Sequence, residues 1–547
     1  MFVYTFSSLK TTEMKKFLFA LILFPLLVSA QDSPKLVVGI VVDQMRTDYI
    51  YRYWDKFEDD GFKRLINEGY FCRNTHFNYI PTYTGPGHAS IYTGTTPSVH
   101  GIIANNWYER ATGESRYCVQ DKEVMSLGTA NENGMMSPKS LLTPTLGDAI
   151  RVSNLYKGKS IGISIKDRGA ILPAGHSANA AYWLDYESGK MISSTYYFDN
   201  LPKWVSSFNS KNHAQELTKL NWTLSLAPEL YTESTADLTD YEKSIDPNTD
   251  PVFPYDLKPV IEAKEYYGFA TTPHGNTLLR MFAEQCITEE DLGQDEHLDM
   301  IAISFSSPDM IGHMYGPQSM EVEDTYIKLD QEIAQLLEAL DLRVGKGNYL
   351  LFLTADHAAA HVPSYTASHG MPANYFDKEG FNETLIEALN KNFPETELFA
   401  NYSNQQIFLD RAAMMEHKID FKKVSEVVRN AVLDFPGVAN LQDVKQLQHP
   451  LPQSHFSSLA INGWNPQRSG DIVIQLLPGW MQYGPKGTTH GTSYSYDTHV
   501  PLIFFGSGVD HGESIAPVNI TQIAPTVSLL SRIAFPDASS HEPIDFD

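Results

Sequence analysis

Three cysteines in 547 residues are too few for a disulfide framework or for a thiolate-based structural zinc site. Cys72, Cys118 and Cys286 allow at most one disulfide, and Cys72 with Cys118 is the expected pair. Positive charge is also scarce: 41 Lys and Arg against 66 Asp and Glu leave a formal charge of -25. Binding of nucleic-acid polymers or anionic membrane surfaces needs surplus Lys and Arg and is not expected, so any phosphate affinity must be local. There is no internal repeat, heptad array or low-complexity segment. Nor is there a comfortable membrane span, because the apolar run from Phe17 to Val28 falls short of the roughly 20 residues a spanning helix needs.

That short run has another reading. MKKFLFALILFPLLVSAQD, Met14 to Asp32, has a basic start, an apolar middle and small residues before Gln31, the pattern of a secretory signal peptide. We therefore expect residues 1–30 to be removed, Met14 to be the true initiator, and the mature chain to be soluble and periplasmic or secreted. With 42% hydrophobic, 12% aromatic and 20% charged residues the remainder is an ordinary folded protein. Its length suits one large domain with insertions, or two to four smaller ones.

Five runs, KLVVGIVVDQ (35–44), SIGISIKD (160–167), DMIAISFSSPD (299–309), NYLLFLTADH (348–357) and HVPLIFFGSG (499–508), are continuously apolar or β-branched. Such runs mark strands buried on both faces, as in a parallel sheet. Between them, EVEDTYIKLDQEIAQLLEALD (321–341) sets Val322, Tyr326, Leu329, Ile333, Leu336, Leu337 and Leu340 on one helical stripe. Strands alternating with helices predict an α/β sandwich with a mostly parallel central sheet. Four of the five runs end in a carboxylate or a Lys/Arg pair, at the edge where open α/β sheets bind ligands. Two tracts interrupt the pattern. The Tyr-, Trp-, Asn- and Pro-rich stretch at about 170–298 is expected to cap one end of the sheet, and about 362–470 to form a small α+β insertion.

The strand-end residues carry the chemistry. Asp43 closes VVDQM. SSPDMIGHMYGP (306–317) sets Asp309 and His313 four apart on one helical face, a spacing suited to two ligands of one metal. TADHAAAH (354–361) puts Asp356 and His357 side by side where the chain turns, with His361 a supporting residue, and KGTTHGTSY (486–494) holds His490 in a Gly/Thr-rich loop. Aspartate and histidine without cysteine are donors for catalytic zinc, with manganese or iron as substitutes, and six of them suffice for two ions. Two metals about 4 Å apart stabilise the attacking and leaving oxygens of an in-line phosphoryl displacement. PTYTGPGHAS (81–90) places Thr84 in a Gly/Pro-rich turn, with Pro86 suited to a first helical turn whose N–H groups can meet a phosphate oxygen.

The succession VVDQM, TGPGH, ANNWY, IKDRG, SPDMIGH, TADH and KGTTHG, in this order from about residue 35 to 508, resembles the alkaline phosphatase superfamily in its nucleotide pyrophosphatase/phosphodiesterase-like branch. It looks most similar to the bacterial phosphate-irrepressible, phosphate-insensitive alkaline phosphatases. The resemblance implies an alkaline-phosphatase-like catalytic domain over residues 31–547 and two Zn2+ ions. Asp43, Asp356 and His357 would hold one ion, and Asp309, His313 and His490 the other. Thr84 would be the nucleophile, bridging towards the first ion, and Asn105 of GIIANNWYE a donor to a phosphate oxygen. His88 is then a helix or packing residue, since a metal instead of an imidazole would activate the threonine.

Lys166 and Arg168 of SIKDRG, two apart at a strand end, are expected to point the same way and form a local cation pair. A phosphate monoester exposes more oxygen charge than a diester, which suits a bidentate Arg beside a Lys point charge. In the resembled family such a pair marks monoesterases. The expected activity is therefore broad-specificity hydrolysis of small phosphate monoesters through a phosphothreonine, with a phosphodiesterase or nucleotide pyrophosphatase on the same fold as the alternative. A sulfatase would need a modifiable Cys or Ser where this chain has Thr84, and the complete ligand set argues against a catalytically dead binding module.

Overall fold

The computed structural model describes residues 33–448 and 454–546, so the signal-peptide reading of residues 14–32 lies outside the described residues. At the centre of a ten-stranded sheet, Leu36–Val42 lies between Asp299–Phe305 and Tyr349–Thr354, all parallel. Ser160–Ser164 and Ala180–Asp185 continue the parallel order on one side. Every residue of these five strands is buried, which is why their sequences are continuous and not alternating. Leu502–Gly506 runs antiparallel to Tyr349–Thr354. Its C-terminal end therefore reaches the opposite edge of the sheet, and it is the one apolar run without a charged terminus.

The register sets the function. Val42 pairs with Phe305, Val41 with Thr354 and Ser304 with Ser164, so the chain leaves four neighbouring strands at one edge. The stripe on helix Met320–Leu340 packs into the same core, with all seven expected residues buried.

Three expectations need correcting. The tract from about 170 does not begin outside the sheet: Ala180–Asp185 and Lys190–Ser194 are sheet strands, and helix His274–Glu289 sends Leu278, Phe282 and Cys286 into the main core. Aromatic residues make this tract look like a cap in sequence, but Trp222, Phe253 and Tyr255 pack around Tyr315 as part of the body. In the later tract, Phe399–Ser403, Gln406–Leu409, Ile472–Leu476 and Val438–Asp443 form a separate four-stranded sheet with its own core, so this unit runs past residue 470. Finally, all three cysteines are free and buried, Cys72 and Cys118 in different clusters.

Candidate active site

Asp43 follows Val42, Asp356 and His357 follow Thr354, and Lys166 comes two residues after Ser164. Beyond Phe305 the chain enters helix Ser307–Tyr315, with Pro308 in its first turn and Asp309 Oδ1 3.1 Å from Nε2 of His313, one turn on. Thr84 opens helix Thr84–Thr93 after an extended Tyr83. Glycine is what lets these helices close on the edge. A Cβ on Gly87 would lie 2.2 Å from the carbonyl oxygen of Asp356, and one on Gly312 2.0 Å from Oε1 of Gln44.

Two donor groups result, Asp43/Asp356/His357 and Asp309/His313/His490, each with its ligand atoms within 4.8 Å of one another. His357 Nε2 lies 3.4 Å from Asp43 Oδ1 and 3.6 Å from Asp356 Oδ2, and His490 Nε2 lies 3.7 Å from Asp309 Oδ1. The rings of His357 and His490 stack, so the two groups share a wall. Each histidine donates its Nδ1–H to a backbone carbonyl: His357 to Ala358 at 3.0 Å, His313 to Thr488 at 2.7 Å and His490 to Thr82 at 2.6 Å. That turns every Nε2 towards the carboxylates, as in histidines that ligate metals, and against the effect of burial the Asp309 charge raises His313 above the ordinary imidazole value.

Charge points the same way. Three buried carboxylates face one ammonium, that of Lys166, whose Nζ is 2.6 Å from Asp43 Oδ2 and 2.5 Å from Asp309 Oδ2. Burial, then repulsion from Asp309, pushes the Asp43 carboxyl up to about 6 despite Lys166. Burial and the Asp43 charge raise Asp356 well above the usual carboxylate range. Burial opposes the ionisation of Asp309 as well, but His313 and Lys166 hold it well below that range. Burial drops His490 to about 3 and lowers His357, so these imidazoles are neutral. Asp43 Oδ1 and Asp356 Oδ2 have no hydrogen-bond partner among the described residues. Donor type, tautomer and uncompensated charge all fit two divalent cations.

Thr84 Oγ1 is buried, 3.4 Å from His357 Nε2. The Gly85 N–H donates to Asn105 Oδ1 at 2.7 Å, which fixes the amide beside Thr84 and leaves its NH2 free to donate elsewhere. Arg168 Nη1 donates to the Tyr117 hydroxyl at 3.0 Å, and that hydroxyl donates to Asp167. The structure thus brings all the expected site residues to one edge, but it builds the cation pair differently. Lys166 precedes helix Asp167–Ala174 and Arg168 is its second residue, so the pair straddles a helix start instead of sharing a strand face. Lys166 turns onto the carboxylates and Arg168 onto Tyr117.

His88 is buried and neutral, its imidazole lowered to about 3 by burial, and it bonds the Thr84 carbonyl oxygen at 2.9 Å and Ser304 Oγ at 2.8 Å. His361 packs on Tyr365 and belongs to neither group. Sequence reasoning missed Gln44, whose N–H donates to Asp356 Oδ1 at 3.2 Å and whose Nε2 donates to Asp309 Oδ1 at 2.6 Å, tying the two groups together. Adjacency to Asp43 was its one signal, since its φ of 67° is invisible in sequence. Tyr117 and Asp167 were missed too, because nothing local links Tyr117 to Arg168, 51 residues on.

A model of the family described as type I phosphodiesterase/nucleotide pyrophosphatase matches residues 37–500. Alkaline phosphatase PafA of Elizabethkingia meningoseptica is 41% identical over 538 residues, 97% of this chain and 98% of its own. The crystal structure of PafA aligns with a TM-score of 0.90 over 94% of this chain and 99% of that one. Alkaline phosphatase PhoV of Synechococcus elongatus is 42% identical over 508 residues, 92% of this chain and 91% of its own. A Myroides odoratus protein named calcium-transporting ATPase is 41% identical over 517 residues, 94% of each chain.

Proposed function

The chain belongs to the type I phosphodiesterase/nucleotide pyrophosphatase family, and we infer that it is an alkaline phosphatase, a metal-dependent hydrolase of phosphate monoesters. One observation carries the mechanism: a buried hydroxyl at a helix N-terminus lies against His357, in the first of two adjoining Asp/His donor groups. Asp43, Asp356 and His357, with Thr84 bridging, would hold one Zn2+, and Asp309, His313 and His490 the other. Bound there, the cations supply Lewis acidity for phosphoryl oxygens and lower the pKa of an adjacent hydroxyl.

Thr84 Oγ1 attacks phosphorus in line with the departing alcohol. The new Oγ1–P bond replaces the P–O bond to the alcohol, which leaves with a proton. Water then attacks the phosphothreonine, releasing inorganic phosphate and restoring the hydroxyl. The Asn105 amide, held by Gly85, donates its NH2 to a phosphoryl oxygen, and the N-terminus of the Thr84–Thr93 helix favours the same negative charge. Arg168, braced by Tyr117, presents its remaining N–H groups, and Lys166 adds a point charge. This cation pair favours a dianionic monoester over a diester. A periplasmic or secreted location goes with the reading of residues 14–32. The transport activity in the name of the Myroides relative gains no support, since no helix among the described residues is long and apolar enough to cross a membrane.

The test compares kcat/KM on an aryl monophosphate and a bis-aryl phosphate for the wild type and for Lys166→Ala/Arg168→Ala. The wild type should prefer the monoester and the double variant should lose most of that preference; full retention would remove the substrate argument. Thr84→Ala should yield no trapped phosphoenzyme.

A further inference from the structure

In a chain of formal charge -25, two lysines beside the candidate site stand without an ion-pair partner among the described residues. The first is Lys243. Its N–H donates to the Met314 carbonyl oxygen at 3.0 Å, and the Tyr241 carbonyl oxygen accepts from Gly487 at 2.9 Å. The segment is thereby wedged between the end of the Ser307–Tyr315 helix and the loop that carries Thr488, the partner of His313. Glu242 turns inward and is buried. The Lys243 ammonium instead sits 3.9 Å from the centroid of the Tyr483 ring, and that ring stacks on His313 at 5.6 Å and 17°. Lys243, Tyr483 and His313 thus form one continuous stack ending at a candidate ligand.

The second is Lys264, half-buried on helix Leu257–Ala270 just before a break at Glu265 (φ 52°, ψ -149°). It is close enough to Lys243 that its charge, after desolvation, is the next cause lowering the Lys243 pKa. Asp246 offsets Lys264 in part. Tyr267, three residues on, senses the charges of Lys166, Asp309 and Arg168, which puts this rim beside the site. In-line attack by Thr84, next to His357, sends the alcohol out on the opposite side, that of Asp309, His313 and His490. A substituent on the alcohol then passes over the stack.

We propose that Lys243, supported by Tyr483 and with the Lys264 charge nearby, forms a subsite for an oxyanion on the alcohol part of the substrate, a carboxylate or a second phosphate-like group. A half-desolvated ammonium without an ion-pair partner, such as that of Lys243, gains most from such a group. Monoesters with a distal negative charge are therefore favoured locally, against the long-range repulsion of an acidic chain.

The inference rests on the monoesterase reading, and its test separates the two. kcat/KM is measured with the holoenzyme on phenyl phosphate, 4-carboxyphenyl phosphate and 4-phosphonophenyl phosphate, for the wild type, Lys243→Gln and Lys243→Arg. Intrinsic leaving-group differences cancel when ratios are compared between variants. The ratio of charged to plain substrate should fall about five- to tenfold in Lys243→Gln, chiefly through KM, and hold in Lys243→Arg. The two charged substrates separate a carboxylate subsite from a phosphate subsite. An unchanged ratio in Lys243→Gln overturns the subsite while leaving the phosphatase intact, whereas no turnover of phenyl phosphate overturns the underlying reading. If Lys243→Gln does not fold, the wild type decides. Its ratio should fall as salt rises from about 50 to about 500 mM, and a rise, the signature of long-range repulsion alone, overturns the proposal.

Discussion

Two sets of carboxylates are buried equally deeply and do opposite things. Asp43, Asp309 and Asp356 converge at the sheet edge, while Glu321, Glu323, Asp324 and Asp330 lie along helix Met320–Leu340. In the helix set the oxygens of Asp324 and Asp330 are taken up by hydrogen-bond donors. Asp324 accepts from Trp222 Nε1, the Ser225 N–H and the Tyr231 hydroxyl, each at 2.7 Å, and from Lys328 at 2.6 Å. Asp330 accepts from the N–H groups of Glu58 and Phe62, each at 2.7 Å. These acids fasten the 222–231 and 58–62 segments to the helix. In the edge set, Asp43 Oδ1 and Asp356 Oδ2 have no hydrogen-bond partner among the described residues, and they converge with imidazole nitrogens around one lysine. Burial alone therefore does not mark a ligand; burial with convergent unmet acceptors does.

The comparison breaks first if metal is irrelevant at the edge. Chelation should abolish phosphatase activity, and Zn2+ should restore it with two ions bound per chain by elemental analysis; activity indifferent to a strong chelator would leave the bare oxygens unexplained. The second test crosses the two sets. Asp356→Asn should cost at least about 10³-fold in kcat/KM, while the urea midpoint of the chelated protein holds or rises because a crowded charge is gone. Asp324→Asn should leave kcat/KM within about threefold and lower stability by about 2–3 kcal/mol, since several donors lose a charged acceptor. The reverse pattern would erase the distinction.

The edge set was legible in sequence because each of these aspartates lies within a few residues of the end of an apolar strand, and parallel register makes the strand ends coincide. The helix set was not. Hydrophobic spacing identified the Val322-to-Leu340 stripe and says nothing of what covers the face formed by the remaining positions. That face is covered by Trp222, Tyr231 and Tyr255, whose arrival depends on a tract with no periodicity of its own. Local geometry hid the rest. A spacing of two predicts a shared strand face at Lys166 and Arg168, where a helix begins instead. The close approach at Gly87 exists only once Thr84 and Asp356, 272 positions apart, are brought together, so the most important contact in the site is also the least readable.

The smallest expected effect probes the one place where the two sets resemble each other. Glu242 and Glu321 have buried oxygens without hydrogen-bond partners among the described residues, yet no histidine converges on them. Burial pushes the Glu321 carboxyl up to about 8, and burial followed by the Glu321 charge pushes Glu242 up to about 9. Both are thus protonated in the folded protein at neutral pH, whereas in the unfolded chain they ionise near 4.5. The folded state holds more protons, so this pair makes stability fall as pH rises from about 4.5 to between 8 and 9, and level off above. The slope is at most about 1.4 kcal/mol per pH unit for each group. Glu321→Gln keeps an acceptor for the Tyr255 hydroxyl, which donates to Oε1 at 2.5 Å. It should flatten the curve, so that its stability relative to the wild type rises by about 1–2 kcal/mol between about pH 6 and pH 9 in urea unfolding. Parallel curves for the two proteins would mean that Glu321 is ionised throughout. The helix would then carry an unbalanced charge like that of the sheet edge, and hydrogen bonding would no longer separate fasteners from ligands.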